Sequence, residues 1–310
     1  GWDDVSFHGS PQIPTPNMDV LAGDGVILNN YYVQQLCTPS RAALMTGLYP
    51  IHNGRLKSNL LRMGQFGGAE ALKYSLMRFC IKRFGEKTKQ KYNILYSCIR
   101  MIFKSWTNKF RAGSYKKYFF SFFETVEDGN RLHDMWSGCN RCFEGRGKLQ
   151  RNKPTELYVG EVLRLHEKTN MGMPFFLYLA YQSVHGPLEA PEENIMKFPY
   201  IGEENRTIFA GITDALDQSI GDVFEALYEA DMLDNTILVM SSDNGGLPFG
   251  QESNSGFNFP LRGAKGTLWE GGTKASAFIW SPLLNQRQRV SNQMMHITDW
   301  LPTLYSAAGT

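Results

Sequence analysis

Two short apolar runs with an amphipathic stretch between them constrain the fold of this chain more than any other feature. Residues 174–180 (PFFLYLA) and 236–240 (TILVM) are continuous apolar runs, the pattern of strands that are buried on both faces. Between them, apolar residues recur at helical spacing, at Ile208, Ile212, Leu216, Ile220, Val223 and Leu227. Strand, helix and strand in this order predict a crossover connection. We therefore predict an α/β fold with a central, mostly parallel sheet flanked by helices.

Length and composition are those of a large globular domain. The chain has 310 residues, of which 42% are hydrophobic, so it can bury a substantial core. It has no apolar run of about 18 residues, the minimum for a membrane-spanning helix. We predict no transmembrane segment and no nucleic-acid partner. The first residues lack the pattern of a signal peptide, but residues 1–4 read like the inside of a domain, so a leader can precede them.

Polar residues follow both apolar runs directly. The first run leads into QSVH at 182–185, and the second leads into SSDN at 241–244. Open α/β sheets bind their ligands just beyond the carboxyl ends of the strands, so we expect these two polar segments to converge on one crevice.

Asp243 and Asn244, which are followed by two glycines, are candidate metal ligands. They offer two oxygen atoms and a flexible turn, which suits a hard divalent cation. The alternative is an ordinary turn, because Asp-Asn-Gly is common in turns.

His185 and Lys265 are candidates for acid–base and anion-binding roles. A histidine at the tip of a strand can protonate a leaving alkoxide or hold an anion. Lys265 lies between glycines in a loop, where its ammonium can neutralise an anionic ester. Taken alone, a lone histidine near a loop is more often structural, and a lysine in a loop is better explained as a surface residue.

The stretch 37–47 (CTPSRAALMTG) predicts a cysteine at the start of a helix. Thr38 suits an N-cap, Pro39 suits the first helical turn, and Gly47 suits the end of the helix. A helix N-terminus favours an anion, and Arg41 can add a positive charge one turn later. The alternative interpretation of Cys37 is a structural cysteine in a tight turn.

The five residues from Cys37 to Arg41 resemble the signature of the sulfatase family, in which the cysteine is oxidised to formylglycine. Residues 1 to about 55 and about 150 to 310 are similar to this family, and most similar to its arylsulfatase B branch, the N-acetylgalactosamine-4-sulfatases and arylsulfatases I and J. The further segments that match in order are FHGS at 7–10, TPNMD at 15–19, QSVH at 182–185, SDNGG at 242–246, LRG at 261–263, LWEGG at 268–272 and HITDWLPTL at 296–304.

The resemblance implies an alkaline-phosphatase-like sulfatase fold and a set of site residues. Cys37 is then the formylglycine precursor and nucleophile, and Arg41 supports it. His185 and Lys265 bind the sulfate and assist the leaving group. Asp243 and Asn244, with the modified Cys37, bind one calcium ion per subunit.

In the family, one hydroxyl of the hydrated aldehyde attacks sulfur, and the other hydroxyl later expels sulfate. The resemblance further implies a sulfated glycan or aryl sulfate as substrate, of the N-acetylgalactosamine-4-sulfate type. It also implies a formylglycine-generating enzyme as a partner during biosynthesis, and a place in the lysosome or the secretory pathway. Asn205-Arg206-Thr207 is a glycosylation sequon, which suits that route without deciding it.

Two family features have no counterpart in the sequence. The family carries a pair of adjacent aspartates, which bind metal, just before the position of Gly1-Trp2. It also carries a Lys-x-His motif, which does not occur here. Asp3 and Asp4 are weak substitutes for the pair, because they align after it. We therefore predict that residues 1–310 are a sulfatase catalytic domain that is incomplete at both ends and lacks the C-terminal subdomain.

Residues 68–123 differ in composition from the rest of the chain. Between residues 73 and 122 there are 13 Lys or Arg and one acid, Glu86, crowded among aromatic residues. One interpretation is a basic arm for a membrane surface or an anionic glycan. The other is a non-native insertion, such as a retained intron. We favour the second, because both flanks fit one family and this segment does not.

Two other functions stay open at this point. One is a phosphoesterase of the alkaline phosphatase superfamily, although such an enzyme has no need of Pro39-Ser40-Arg41. The other is an inactive sulfatase paralogue that binds sulfated glycans through Arg41, Lys265 and the basic segment.

Overall fold

The structure is a computed structural model that describes residues 1–53, 119–124, 175–181, 183–186, 188–249 and 254–307. In chain order, the helices and strands of these residues are α1 (Pro16–Asp24), β1 (Val26–Tyr32), α2 (Cys37–Thr46), α3 (Pro50–Asn53), β2 (Phe119–Glu124), β3 (Phe175–Ala180), α4 (Glu192–Ile195), α5 (Glu204–Glu229), β4 (Leu238–Ser241), α6 (Glu270–Thr273), β5 (Ala277–Trp280), β6 (Arg289–His296) and α7 (Trp300–Ala307). This mixture confirms the predicted α/β class. Within the described ranges, no helix is long and apolar enough to cross a bilayer.

The chain divides into two units. The first comprises residues 1–40, 154–164 and 182–297, and the second comprises residues 41–153, 165–181 and 298–310. The first unit contains β1, β4, β5 and β6, together with α1, α4, α5 and α6. The second contains β2, β3, α3 and α7, and α2 begins in the first unit and continues into the second.

The first unit is built on a four-stranded sheet with the order β4-β5-β1-β6. β1 runs parallel to β6 and antiparallel to β5, and β4 is antiparallel to β5. It follows that β1, β4 and β6 all run in one direction and that β5 alone opposes them. Their carboxyl ends, at Tyr32, Ser241 and His296, therefore lie at the same edge of the sheet.

The partners of two predicted strands differ from our expectation. The runs at 174–180 and 236–240 do form strands, β3 and β4, but β3 pairs in parallel with β2 in a separate two-stranded sheet. The expected crossover from β3 to β4 within one sheet is therefore not seen in the described residues. The physical reason is that an apolar run specifies a buried strand without specifying its neighbour.

Helices α1 and α5 pack on the sheet of the first unit. α5 carries the predicted apolar stripe, and the Glu203 carboxylate caps it by accepting from the Asn205 and Arg206 backbone N–H groups. The shared core consists of Val5, Met18, Leu21, Ala22, Ile220, Phe278 and Trp280. Asp217 of α5 also accepts from the backbone N–H groups of Asn17 and Met18, so it satisfies the exposed N-terminus of α1.

In the second unit, Gly47 ends α2, as the sequence predicts. Its φ is +61°, a left-handed conformation that glycine adopts without strain. A Cβ at this position would lie 3.1 Å from Cδ2 of Leu301 on α7, so the absence of a side chain also allows close packing.

A buried ion pair ties α5 to the start of the chain. Arg206 Nη1 donates to Asp4 Oδ1 (2.6 Å), and the two side chains are 3% and 4% exposed. The same nitrogen donates to Ser255 O (2.9 Å), and the Asp4 carboxylate also accepts from the Phe257 N–H. Both charges are therefore compensated within the fold.

We expect Arg206→Met to lower the free energy of unfolding by about 3–5 kcal/mol, because Asp4 would remain buried without its main partner. Urea denaturation of the purified protein measures this. Lys197→Met is the matched control, since Lys197 is 46% exposed in its pair with Asp214 and should change stability by less than about 1 kcal/mol. Equal losses from the two substitutions would contradict the role given to the buried pair.

Candidate active site

The candidate residues of the first unit emerge at one edge of its sheet. β1 ends at Tyr32 and leads to Cys37, and β4 ends at Ser241 and leads to Asp243 and Asn244. β5 runs in the opposite direction, so its first residue lies at the same edge. The loop that carries Lys265 leads into β5 there. The segments of Cys37, of Asp243–Asn244 and of Lys265 therefore leave the sheet at one edge, beyond strand ends, where open α/β sheets bind their ligands.

α2 begins at Cys37, so Thr38 lies inside the helix and the prediction of Thr38 as its N-cap is wrong. The thiol is free and half-buried. Ser40 fixes the turn before the helix, because its Oγ accepts from Gln34 N–H (2.9 Å) and donates to Gln34 O (3.2 Å). The turn thus presents Cys37 at a helix N-terminus, where unpaired N–H groups favour negative charge.

Main-chain hydrogen bonds join the three segments. Gly266 N–H donates to Gln35 O (2.8 Å), which connects the Lys265 loop to the turn before Cys37. Lys265 N–H donates to Gly246 O (3.0 Å), which connects the same loop to the Asp243–Asn244 segment. The Lys265 loop therefore lies between the other two and is bonded to both.

Lys265 also contacts His185. Its Nζ lies 3.3 Å from His185 Nε2, and His185 Nδ1 lies 2.8 Å from Gly186 O. A carbonyl oxygen can only accept, so the short contact assigns the proton to Nδ1 and leaves Nε2 as the acceptor of the lysine. The two predicted sulfate-binding side chains are therefore brought together.

Asn244 has the property expected of a metal ligand. Its Nδ2 donates to Gly245 O (2.8 Å), but its Oδ1 is buried and has no hydrogen-bond partner among the described residues. A buried acceptor without a donor costs about 1–3 kcal/mol, and a cation at Oδ1 would remove that cost. A side chain at Gly245 would overlap Gly271 O, so the backbone approaches closely here.

These residues fit a hard divalent cation as part of a ligand set. Calcium takes oxygen ligands, and Asp243 and Asn244 supply them, but it usually takes about 6–8 of them. The described ranges contain no cluster of three or more His, Cys, Asp or Glu side chains placed to hold a metal. Asp4 is not a free ligand, because its carboxylate is occupied by Arg206 and by the Phe257 N–H.

Arg41 lies four residues after Cys37 on the continuous helix α2, where the second unit begins. It is half-buried, and its supporting role stays a prediction. The segment predicted at 68–123 lies outside the described residues, apart from 119–123, which form most of β2. The status of this segment as an insertion also stays a prediction.

The structure adds two residues that the sequence reasoning did not single out. Ser40 orders the turn before Cys37. Its position within the five-residue motif from Cys37 to Arg41 was a signal that could have identified it. Asn258 bonds to the backbone of Gly246, beside the Asp243–Asn244 segment, and to the backbone of Gly263, within the Lys265 loop (2.7–3.3 Å). An asparagine in a loop is too ordinary to give such a signal.

Comparison with curated proteins finds relatives along the whole chain. Arylsulfatase J of Mus musculus is 36% identical over 316 residues, which cover 99% of this chain and 50% of that protein. N-acetylgalactosamine-6-sulfatase of Homo sapiens is 28% identical over 324 residues, which cover 100% of this chain and 60% of that protein. The chain thus spans about half to three-fifths of the length of these relatives.

Solved structures and a family model agree with these relatives. The crystal structure of Ps i-CgsB in complex with k-i-k-neocarrahexaose matches with a TM-score of 0.72 and 28% identity, over 100% of this chain and 69% of that one. The family model described as Sulfatase matches residues 1–310. The strand-end site, the motif at Cys37 and this match over the full chain together show that the protein is a member of the sulfatase family.

Proposed function

We propose that the protein to which this chain belongs hydrolyses sulfate esters, with formylglycine at position 37 as the nucleophile and calcium as the metal. The observation that carries the proposal is the contact of Lys265 with His185, in a loop that is hydrogen-bonded to the turn before Cys37. A cation and an imidazole on segments linked to the turn before Cys37 can neutralise a sulfate ester and transfer a proton to its leaving group. Membership of the sulfatase family supports the same reaction.

Lys265 is given the role of binding the sulfate group. Its ammonium can neutralise charge on the sulfate oxygens, and the Lys265 residue is itself half-buried. The backbone bond from Lys265 N–H to Gly246 O holds the main chain of this residue in place.

His185 is given the role of assisting the leaving group. Its Nδ1 is held by Gly186 O, so the ring is oriented with Nε2 toward Lys265. With a sulfate ester bound, Lys265 would donate to the sulfate instead of to Nε2, and a ring protonated on both nitrogens could then donate its Nε2 proton to the departing alkoxide.

The aldehyde and the metal supply the remaining chemistry. Formylglycine at position 37 would supply, as its hydrate, one hydroxyl as a nucleophile toward sulfur and a second whose oxygen re-forms the aldehyde as the C–O bond to sulfate breaks. Asp243 and Asn244 would hold a calcium ion as part of its ligand set, and the ion would supply positive charge to the site. Arg41, further along α2, is proposed to support position 37 with a fixed positive charge.

The proposed substrate is a sulfated glycan of the N-acetylgalactosamine sulfate type, or an aryl sulfate in the laboratory. Support comes from the names of the relatives, an arylsulfatase and an N-acetylgalactosamine-6-sulfatase, and from a related structure that holds a neocarrahexaose. Formylglycine formation requires a modifying enzyme during biosynthesis, so we place the protein in the lysosome or the secretory pathway.

A substrate panel tests the proposed function. The complete protein, made in eukaryotic cells, is assayed with calcium on an aryl sulfate and on the matching aryl phosphate. We expect faster turnover of the sulfate. Faster turnover of the phosphate would instead support the phosphoesterase alternative. No hydrolysis, together with glycan binding that weakens steeply with salt, would support the inactive glycan-binding paralogue.

Replacing Lys265 by alanine should lower kcat/KM for the aryl sulfate by roughly 10²–10³-fold, because one charged group that stabilises the transition state is lost. Steady-state kinetics measure this. Lys197→Ala removes a lysine that pairs with Asp214 and should leave kcat/KM unchanged. An unchanged kcat/KM in Lys265→Ala would exclude this residue from sulfate binding.

A further inference from the structure

Residues 254–258 (NSGFN), here called the bracing segment, touch each of the three loops that carry Asn244, Lys265 and His185. The segment has neither helical nor strand structure. Its two asparagines, Asn254 and Asn258, make the contacts through their side-chain amides.

Asn258 is bonded to two of the loops. Its Oδ1 accepts from Gly246 N–H (2.7 Å), and its Nδ2 donates to Gly246 O (3.0 Å) and to Gly263 O (3.3 Å). Gly246 follows the metal-ligand segment by two residues, and Gly263 precedes Lys265 by two. The side chain is buried, with 5% exposure, so water does not replace these bonds.

Only a carboxamide has the groups that this position uses. One oxygen accepts and one nitrogen donates twice, all in a single plane. A carboxylate would lack both donors, and an aliphatic side chain would remove the partner of the Gly246 N–H and the donor to Gly263 O. Gly246 O is also the acceptor of the Lys265 N–H, so Asn258 and Lys265 share a carbonyl.

The bracing segment packs tightly on the metal-ligand loop. A Cβ at Gly246 would lie 2.7 Å from the carbonyl carbon and oxygen of Gly256, so the two backbones are in direct contact. The amide of Asn258 therefore acts on a loop that has no room to shift toward the bracing segment.

Asn254 makes the corresponding bonds to the third loop. Its Nδ2 donates to Val184 O (3.1 Å), one residue before His185, and its Oδ1 accepts from Leu247 N–H (3.1 Å). The loops of His185 and of the metal ligands are therefore held by the same amide.

The other side of the bracing segment is anchored to the buried ion pair. The Asp4 carboxylate accepts from Phe257 N–H (3.1 Å), and Arg206 Nη1 donates to Ser255 O (2.9 Å). Phe257 O accepts from Asp3 N–H (3.1 Å). The segment is thus fixed to the body of the first unit while its asparagines reach the catalytic loops.

We infer that Asn258 and Asn254 are positioning residues of the active site. They hold the backbones of Gly246, Gly263 and Val184 and thereby set the directions of Asn244, Lys265 and His185. This inference rests on the proposed sulfate-ester hydrolysis. A displacement of about 1 Å in a catalytic group can cost on the order of 10²-fold in rate.

The test compares Asn258→Ala with wild type in the complete protein. We expect kcat per folded molecule to fall by about 10²-fold. We also expect calcium, measured by titration calorimetry without substrate, to bind about 10–100-fold more weakly, as when groups that orient metal ligands are removed. Asn29→Ala is the matched control, because the Asn29 amide donates to the exposed Asn292 side chain, away from the three loops. Neither kcat nor calcium affinity should change in this variant.

The outcomes separate this inference from the proposed function. If wild type does not hydrolyse sulfate esters, the proposed function fails. If wild type is active and Asn258→Ala keeps its kcat and its calcium affinity while unfolding at a lower temperature, the residue is merely structural and the inference is wrong. If Asn258→Ala does not fold, Asn254→Ala provides the same comparison and the same criteria.

Discussion

Replacement of Cys37 by alanine is expected to reduce the turnover of sulfate esters by on the order of 10⁴-fold or more, as the loss of a covalent nucleophile does in other hydrolases. Cys37 begins α2 and is only half-buried, and alanine is compatible with a helix start. The variant should therefore fold normally. Its rate and its unfolding temperature are measured on the same preparation.

The result distinguishes the nucleophile from a structural cysteine. A structural role predicts lower stability with activity retained by the folded fraction. Ala43→Gly, in the same helix, is a control that weakens α2 by about 1 kcal/mol without touching the nucleophile. A Cys37→Ala protein that keeps more than about a tenth of the wild-type kcat would be incompatible with the nucleophile assignment, since nucleophile losses are far larger.

Loss of the proposed metal ligands is expected to give the second large effect. Asp243→Ala is expected to lower kcat by on the order of 10³-fold and to abolish measurable calcium binding, because a charged oxygen ligand is removed from an already small set. A chelator should reduce wild-type activity to a similar degree, and added calcium should restore it. Calcium binding is followed by calorimetry and activity by aryl sulfate hydrolysis.

Asn244→Leu gives a sharper test of the same site. In wild type, calcium should raise the unfolding temperature, because it binds the native state and satisfies the buried Oδ1. In Asn244→Leu this rise should be much smaller, whereas Asn29→Leu on β1 should keep it. An equal rise in all three proteins would show that calcium does not bind at Asn244.

Local patterns in the sequence predicted local structure well. The stripe from Ile208 to Leu227 became α5, both apolar runs became strands, and Gly47 ended α2. Helical and strand periodicity, and a glycine at a helix end, are local features of the sequence. They can therefore be read without knowing which distant residues come together in the fold.

The sequence did not predict which strands pair with each other or which distant charged residues form ion pairs. β3 pairs with β2 rather than with β4, and β5 enters the sheet antiparallel to β1 and β4. The Arg206–Asp4 pair joins residues separated by 202 positions. Nothing in a single sequence specifies such partners, because many charges and many strands are equally suited to pair.

The sequence named the residues of the candidate site, whose roles stay predictions, but it did not name the residues that support them. The position of Asp243 and Asn244 after a strand end was sufficient to propose a metal site. The bonds from Asn254 and Asn258 depend on loops that come together only in the folded chain. Their residue type is common in loops, so composition does not reveal them.

The chemical state of residue 37 tests the account most directly. The complete protein is purified from eukaryotic cells, shown to hydrolyse an aryl sulfate, and digested, and the peptide that contains position 37 is analysed by mass spectrometry. We predict an aldehyde in place of the thiol in the active protein. An intact Cys37 thiol throughout a preparation that is fully active would contradict the proposed mechanism.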